Sequence, residues 1–300
     1  MTLTRLKTPL AGPRRNLTRR GRNSCQSRRL TSEMGRGACV MLLTIAVAGA
    51  LSVTALASVL VGTGGPDVLV GTTGPDQLYG EDGSDVLRGL GGNDYLEAGP
   101  GEDSVEGAGG VDLLIGGTGD DRLDGAAGND VIYAGAGDDT VLGGRGADTI
   151  FGQAGDDRIF GGSGRDRIWA SLGADFVDGG SGSDRITAAD DNATIVGGSG
   201  NDMIMGGGGN MTVRGGPGRD RIRTGAGDDH VRGGTGADRI ATGAGDDRVN
   251  VRDGRRDRVN CGRGRDVAIA DLIDRLAGCE VVRLPAGSHR PGEASVRFGR

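Results

Sequence analysis

The sequence predicts an all-β solenoid in which short parallel strands stack and each coil takes two nonapeptides. Glycine occupies 63 of the 300 positions and aromatic residues only 3%, which is too little material for an ordinary globular core. Aspartate recurs at nine-residue intervals from Asp67, and Leu, Ile or Val stands two residues after each of these slots from Leu69 to Val249. This fixed period indicates stacked repeats and argues against a disordered glycine-rich linker.

Each nonapeptide is predicted to contain a six-residue turn that ends in aspartate, followed by a three-residue strand. Glycines in the turn permit positive φ and let backbone oxygens crowd together. The middle strand residue points inward, so one aliphatic side chain per repeat fills the core. Two turns and two strands close one coil, and about ten coils with strands about 4.8 Å apart are expected between residues 62 and 250.

Aspartates two repeats apart are predicted to lie on one edge of the solenoid in successive coils. Their stacked carboxylates would repel one another unless a hard cation lay between them, with turn carbonyls completing its ligands. Calcium fits better than magnesium, which demands stricter octahedral geometry, and zinc would need more Cys or His than this chain has. The candidate calcium ligands are Asp67, Asp76, Asp85, Asp94, Asp103, Asp112, Asp121, Asp130, Asp139, Asp148, Asp157, Asp166, Asp175, Asp184, Asp202, Asp220, Asp229, Asp238 and Asp247.

The repeat is seen whole in residues 161–169, which read GGSGRDRIW. This pattern resembles the repeats-in-toxin (RTX), or hemolysin-type, calcium-binding nonapeptide family over roughly residues 62–250. The resemblance implies a right-handed β-roll that binds several calcium ions through aspartates and turn carbonyls, and that folds only when calcium is present. The carbonyl donors it implies include those of Gly135, Gly137, Gly144, Gly146, Gly162 and Gly164.

The aspartate slot is empty at Ala193 and Met211, which are two repeats apart and therefore fall on the same edge. Counting pairs of aspartates in successive coils gives an upper bound of sixteen calcium sites. We expect a metal-free notch beside Ala193 and Met211. A shifted turn through Asp190 and Asp191 is the alternative, but Asp191 also displaces a turn glycine.

Outward-facing side chains also form ladders. Ile115, Tyr133, Phe151 and Trp169 follow one another at intervals of two repeats and are expected to stack into an exposed apolar stripe. Arg167, Arg185, Arg221 and Arg239 occupy the other outward position of that face. Both ladders are explained by support of the sheet and offset of carboxylate charge; a docking surface for a protein or glycan is the alternative for the stripe.

Residues 1–57 are predicted to be a basic head followed by a signal peptide. They carry ten Lys or Arg and one acid, and the apolar run that begins at Cys39 ends in the cleavage pattern of residues 55–57. Translation starts at Met1 or Met34, and an uncleaved membrane anchor remains an alternative. The body from residue 58 has 25 basic and 40 acidic residues, which favours cations over nucleic acid as partners.

Residues 58–250 are predicted to form the calcium-binding β-roll, residues 251–284 a degenerate cap and residues 285–300 a disordered tail. One extra residue enters near residues 250–256, after which the period decays. Cys261 and Cys279 are two repeat lengths apart and would lie in neighbouring coils, so a disulfide is expected in an exported protein. Two free thiols are the alternative.

No catalytic motif accompanies the repeat, so the sequence predicts no enzyme. A His-Glu-x-x-His zinc motif, a Gly-x-Ser-x-Gly elbow and an EF-hand loop are all absent from the sequence. The leading hypothesis is a secreted protein, free or associated with the cell surface, that binds calcium and folds as it does so. The alternative is a structural or adhesive cell-surface protein in which the roll serves as a stalk.

Overall fold

The computed structural model describes residues 57–189 and 192–285. These residues form 26 strands and no helix, so this part of the chain contains no helical segment that could cross a membrane. The strands fall into two parallel sheets that alternate along the sequence. The predicted signal peptide, Asp190, Asp191 and nearly all of the predicted tail lie outside the described residues.

Sheet 1 contains the odd-numbered strands in sequence order. They are β1 (Val59–Val61), β3 (Gln77–Tyr79), β5 (Tyr95–Pro100), β7 (Leu113–Thr118), β9 (Val131–Ala136), β11 (Thr149–Ala154), β13 (Arg167–Ser171), β15 (Arg185–Ala188), β17 (Met203–Met205), β19 (Arg221–Ala226), β21 (Arg239–Ala244), β23 (Arg258–Arg263) and β25 (Arg275–Ala277).

Sheet 2 contains the even-numbered strands, again in sequence order. They are β2 (Val68–Val70), β4 (Val86–Gly91), β6 (Ser104–Gly109), β8 (Arg122–Asp124), β10 (Thr140–Arg145), β12 (Arg158–Ser163), β14 (Phe176–Asp178), β16 (Thr194–Val196), β18 (Thr212–Gly218), β20 (His230–Gly236), β22 (Arg248–Asn250), β24 (Val267–Ile269) and β26 (Val281–Arg283).

The register between neighbouring strands confirms a coil of two nonapeptides. Leu96 of β5 pairs with Leu114 of β7, and Val141 of β10 pairs with Ile159 of β12. The extra residue after β22 lengthens the offset by one where β21 meets β23, yet both sheets continue through β25 and β26. The parallel β-roll therefore extends beyond residue 250, through most of the segment predicted as a degenerate cap.

The core is a column of aliphatic side chains supplied by the middle residue of each strand. All of the predicted aliphatic slots from Leu69 to Val249 are at most 3% exposed. Many strands are longer than the three residues predicted: Thr149–Ala154, for example, runs into the following turn and buries a second inward position. The core remains thin because each repeat contributes one large apolar side chain to it.

The predicted disulfide is confirmed. The sulfur atoms of Cys261 and Cys279 are bonded, the two Cα atoms lie 5.2 Å apart, and both residues are buried. Cys261 lies in β23, and Cys279 lies between β25 and β26. The bond therefore links the last coils of the roll.

Candidate metal centres

The predicted aspartates line the two edges of the roll, where the chain passes from one sheet to the other. From Asp85 to Asp247, those in the predicted set are at most 4% exposed, whereas Asp67 is half-buried. Glycine backbones make this burial possible because a Cβ added to Gly152 would stand only 2.4 Å from Oδ2 of Asp157. The first glycine of the turn thus makes room for the carboxylate that ends it.

One carboxylate oxygen of each internal aspartate joins neighbouring coils. The backbone N–H of Asp130 donates to Oδ1 of Asp148 at 2.8 Å, and that of Asp148 donates to Oδ1 of Asp166 at 2.9 Å. The same bond recurs along both edges, for example from Asp139 to Asp157 at 3.0 Å. Half of each carboxylate therefore has a structural function.

In sixteen internal aspartates the other carboxylate oxygen, Oδ2, is buried and has no hydrogen-bond donor among the described residues. Such an atom costs free energy unless a proton or a cation compensates it. This holds for Asp85, Asp94, Asp103, Asp112, Asp121, Asp130, Asp139, Asp148, Asp157, Asp166, Asp184, Asp202, Asp220, Asp229, Asp238 and Asp247.

Main-chain carbonyl oxygens lie beside these Oδ2 atoms. A Cβ built on Gly143 would be 2.8 Å from Oδ2 of Asp148 and 2.6 Å from the carbonyl oxygen of Gly161 in the next coil. Within residues 57–189 and 192–285, no three Asp, Glu, His or Cys side chains form a metal-binding group. A cation here would need a mixed set of carboxylate and carbonyl oxygens, which is the donor chemistry that calcium prefers.

The glycines named as carbonyl donors all adopt positive φ, between 100° and 139°. Their carbonyls run along the stack: that of Gly162 accepts a hydrogen bond from the backbone of Ser181 at 2.8 Å, and those of Gly144 and Gly146 face the Cα atoms of Gly162 and Gly164. The carbonyl that shares the space around the first turn glycine with Oδ2 belongs instead to the first turn residue of the next coil, as for Gly161. The set Gly135, Gly137, Gly144, Gly146, Gly162 and Gly164 therefore stays a prediction.

Burial makes these carboxylates difficult to ionise without a cation. Desolvation is the largest cause of the raised pKa values; backbone hydrogen bonds oppose it, and neighbouring carboxylates add to it for many of the groups. The pKa reaches about 6 for Asp94, Asp139 and Asp148. It reaches about 7 for Asp121, Asp130, Asp157, Asp184 and Asp220.

Two internal aspartates have a threonine beside them. Burial raises the pKa of Asp229 and of Asp247, while the hydroxyls of Thr224 and Thr242 act in the opposite direction. Both hydroxyls nevertheless donate to carbonyl oxygens of the next coil, Thr224 to Thr242 at 3.1 Å and Thr242 to Cys261 at 2.8 Å. The Oδ2 atoms of Asp229 and Asp247 therefore stay without a hydrogen-bond donor within the described residues.

The two edges differ at the empty slots. We call the edge that contains Asp76, Asp94 and their successors to Asp238 the continuous edge, and the edge that contains Asp67, Asp85, Ala193, Met211 and Asp247 the interrupted edge. Ala193 and Met211 are both 1% exposed. A Cβ built on Gly206 would meet Sδ of Met211 at 2.3 Å, so the thioether lies where a carboxylate lies in other turns. The metal-free notch stays a prediction.

The first turn on each edge contains its own hydrogen-bond donors. Oδ2 of Asp67 accepts bonds from the backbone N–H of Thr63 at 2.6 Å and from its hydroxyl at 2.8 Å. Oδ2 of Asp76 accepts a bond from the Thr72 hydroxyl at 3.0 Å. These two carboxylates therefore differ from the internal aspartates, because threonine satisfies the oxygen that is bare elsewhere.

Two further aspartates belong to the rows, although the nine-residue count omitted them. The backbone N–H of Asp238 donates to Oδ1 of Asp257 at 2.7 Å, and that of Asp247 donates to Oδ1 of Asp266 at 2.9 Å. Both carboxylates are buried, and within the part of the chain that the structure describes their Oδ2 atoms have no hydrogen-bond donor. The signal was present in the sequence as Val259 two residues after Asp257, shifted by the one-residue insertion.

A second ladder runs outside the buried one. The backbone N–H of Asp138 donates to Oδ1 of Asp120 at 2.9 Å, and that of Asp156 donates to Oδ1 of Asp138 at 2.8 Å. These side chains are exposed, whereas Asp139 beside them is buried. The paired acids of the repeat thus separate into an outer residue that bonds one neighbouring coil and an inner residue that bonds the other.

Comparison with known proteins agrees with this geometry. Residues 61–268 match, in overlapping segments, the family model for the RTX calcium-binding nonapeptide repeat, while no curated protein sequence matches the chain. The fold is similar to the X-ray structure of a hyperactive, Ca2+-dependent, β-helical antifreeze protein from an Antarctic bacterium, with a TM-score of 0.50 and 22% identity over 75% of this chain and 81% of that one. Repeat, burial and oxygen chemistry agree, and the chain belongs to the RTX family of calcium-binding nonapeptide repeats.

Proposed function

We propose that the protein is exported and that its calcium-binding β-roll folds when it meets extracellular calcium. The observation that carries this proposal is the double row of buried Oδ2 atoms without hydrogen-bond donors among the described residues. At neutral pH these carboxylates need either protons or cations, and their turn carbonyls suit calcium. The proposal includes no catalytic step.

The thin core supports coupling between folding and calcium. Ordering a residue costs about 1–2 kcal/mol of backbone entropy, while each repeat buries one large aliphatic side chain. Ions that bind the folded state alone shift the equilibrium toward it. A structural neighbour described as Ca2+-dependent and β-helical is consistent with this coupling.

Calcium titration of the purified protein tests the proposal. At pH 8, far-UV circular dichroism should report little β structure in chelator and a cooperative gain as calcium is added, with no gain from equimolar magnesium. The matched variants replace Asp121, Asp139 and Asp157 by Asn, or their exposed neighbours Asp120, Asp138 and Asp156 by Asn. The two variants change net charge equally, so only the buried set should shift the calcium midpoint strongly; full β structure in chelator at pH 8 would refute the coupling.

Export is supported by the head of the sequence, which lies outside the described residues. N-terminal sequencing of the protein recovered from culture medium should give a start at Ser58, after the expected cleavage at Ala57. Recovery of the chain only from the cell, with its head intact, would contradict export.

A structural or adhesive function through the aromatic stripe is the second candidate. The rings of Tyr133, Phe151 and Trp169 are stacked, with centroids 4.8 Å apart and planes within 9°. They are half-buried, and their faces pack against one another, leaving mainly edges at the surface. This geometry favours support of the sheet; loss of partner binding with intact folding in a variant with Ser at all three positions would favour adhesion.

A further inference from the structure

An arginine ladder runs along the outer face of sheet 1 near its C-terminal end. Arg221 pairs with Arg239, Arg239 with Arg258, and Arg258 with Arg275 across four neighbouring strands. All four side chains are exposed. Parallel strands lie about 4.8 Å apart, so this face presents one guanidinium per coil in a straight row.

Within the described strands of this face, no carboxylate offsets the row. The outward positions of β17, β19, β21, β23 and β25 are Met203, Met205, Arg221, Arg223, Arg239, Ala241, Arg258, Asn260, Arg275 and Ala277. The ion pair found in the described part of the chain is between Arg88 and Glu106, far from the ladder in sequence. Like charges placed opposite one another destabilise a sheet, so a partner that brought carboxylates would relieve this repulsion.

The ladder separates two concave surfaces. On one side lies a groove of about 670 Å³ whose floor includes Met205 and Ala241. On the other side lies a hollow of about 280 Å³, where Arg219 and Arg256 add two more guanidinium groups and the buried Asp220 and Asp238 also form part of the lining. Arg221, Arg239 and Arg258 line both. A chain lying along the roll would therefore meet guanidinium groups in every coil.

We propose that this face binds a linear acidic polysaccharide with a carboxylate on each sugar. Guanidinium groups form paired hydrogen bonds with carboxylates, which suits arginine better than lysine. The only lysine of the chain is Lys7, so the entire basic face is built from arginine. An extended acidic polysaccharide carries its carboxylates along one linear chain, so several of them can meet guanidinium groups of successive coils.

Two other polyanions fit less well. Single-stranded nucleic acids bind to aromatic stacking platforms, and residues 203–283 contain no Phe, Tyr or Trp. Duplex DNA distributes its charge over two strands at about 3.4 Å per phosphate on each. The ladder instead presents one row of guanidinium groups on strands about 4.8 Å apart. The remaining occupant is the acidic half of a second copy: residues 57–180 contain 23 acids and six arginines.

Binding of hexagalacturonate, which is too short to gel with calcium, tests the proposal. Isothermal titration calorimetry is run on the full protein in saturating calcium, with maltohexaose as the neutral control. Replacing Arg221, Arg239 and Arg258 by Ser should weaken binding at least about tenfold. The matched control replaces Arg214, Arg232 and Arg248 of sheet 2 by Ser, which removes the same charge and should weaken binding less than about twofold.

Several outcomes would overturn the proposal. They are equal weakening by both triple variants, tighter binding of a thymidine hexanucleotide, or sedimentation that shows a dimer which only the sheet 1 variant dissociates. Replacing the same three residues by Lys should weaken binding about threefold, because charge is kept while the paired hydrogen bonds are lost. Circular dichroism of each sample separates a failure to bind from a failure of calcium-dependent folding; absence of binding by a fully folded roll would refute the polysaccharide proposal alone.

Discussion

The continuous and interrupted edges of the roll have the same backbone but different side chains. Comparing them separates two properties of the aspartate turns, the hydrogen bonding between neighbouring coils and the buried charge. At Met211 the carboxylate is gone, yet the backbone N–H groups of Thr212 and His230 still bond the preceding coil, at 3.0 and 2.8 Å. The Met211 sulfur fills the space of the carboxylate. The coil therefore keeps its geometry when the apolar Met211 side chain replaces the carboxylate. The aspartate is needed for the buried charge and not for the backbone path of the coil.

The largest effect should follow removal of calcium, which tests both edges at once. The folded-state pKa values of buried aspartates such as Asp121 and Asp220 are raised to about 7. A raised folded-state pKa stabilises the protonated roll below the unfolded pKa, and this stability is lost as pH rises through about 7. In chelator, β structure should be greatest near pH 4 and should disappear by pH 8, as measured by circular dichroism. Saturating calcium should flatten this dependence, and an equal loss at both pH values would contradict it.

Copying the interruption onto the continuous edge should have the next largest effect. Asp202 lies on that edge between Ala193 and Met211 in sequence, so Asp202→Met would leave one region of the roll without a carboxylate on either edge. We expect a loss of about 3 kcal/mol at saturating calcium and two separate unfolding transitions by calorimetry. Asn201→Ser, at the exposed neighbouring position, is the control. A single sharp transition in Asp202→Met would show that carboxylates on the two edges do not jointly stabilise this region of the roll.

Repairing the interrupted edge should have a smaller effect of opposite sign. Met211→Asp restores a carboxylate one coil before Asp229, whose Oδ2 is bare. The variant should bind one more calcium ion per chain by elemental analysis and should be less stable than the parent in chelator, because it adds a buried charge. Met211→Leu keeps an apolar side chain at this position and should bind the same number of ions as the parent.

The smallest effect concerns backbone strain that both edges share. Gln153 on the interrupted edge and Leu90 on the continuous edge have φ of 79° and 76°, a region that costs non-glycine residues about 1–2 kcal/mol. Gln153→Gly and Leu90→Gly should each stabilise the calcium-loaded roll by up to about 1 kcal/mol in thermal unfolding. A gain at one site only would indicate that strain and ion binding are coupled.

Much of the site could be predicted because the repeat is local. A nine-residue period assigns each aspartate and aliphatic side chain to an edge or to the core before any contact is known. The end of the roll was less predictable, because one residue inserted before Asp257 breaks the nine-residue period. The hydrogen bond from the backbone of Asp238 to Asp257 still forms, across 19 residues instead of 18. The aromatic stripe stacks as expected but is half-buried, because its rings pack face to face.

The sequence by itself determined the coil length, the positions of the aspartate rows, the gap at Ala193 and Met211, and the placement of Cys261 and Cys279 in neighbouring coils, because each depends on spacing alone. Only the tertiary structure decided which carboxylate oxygen is bonded and which is bare. It also decided that threonines satisfy Asp67 and Asp76, and that the inserted residue leaves the hydrogen bonds to Asp257 and Asp266 intact. These depend on which atoms meet across neighbouring coils, and a one-dimensional period does not specify the direction of a carboxylate oxygen.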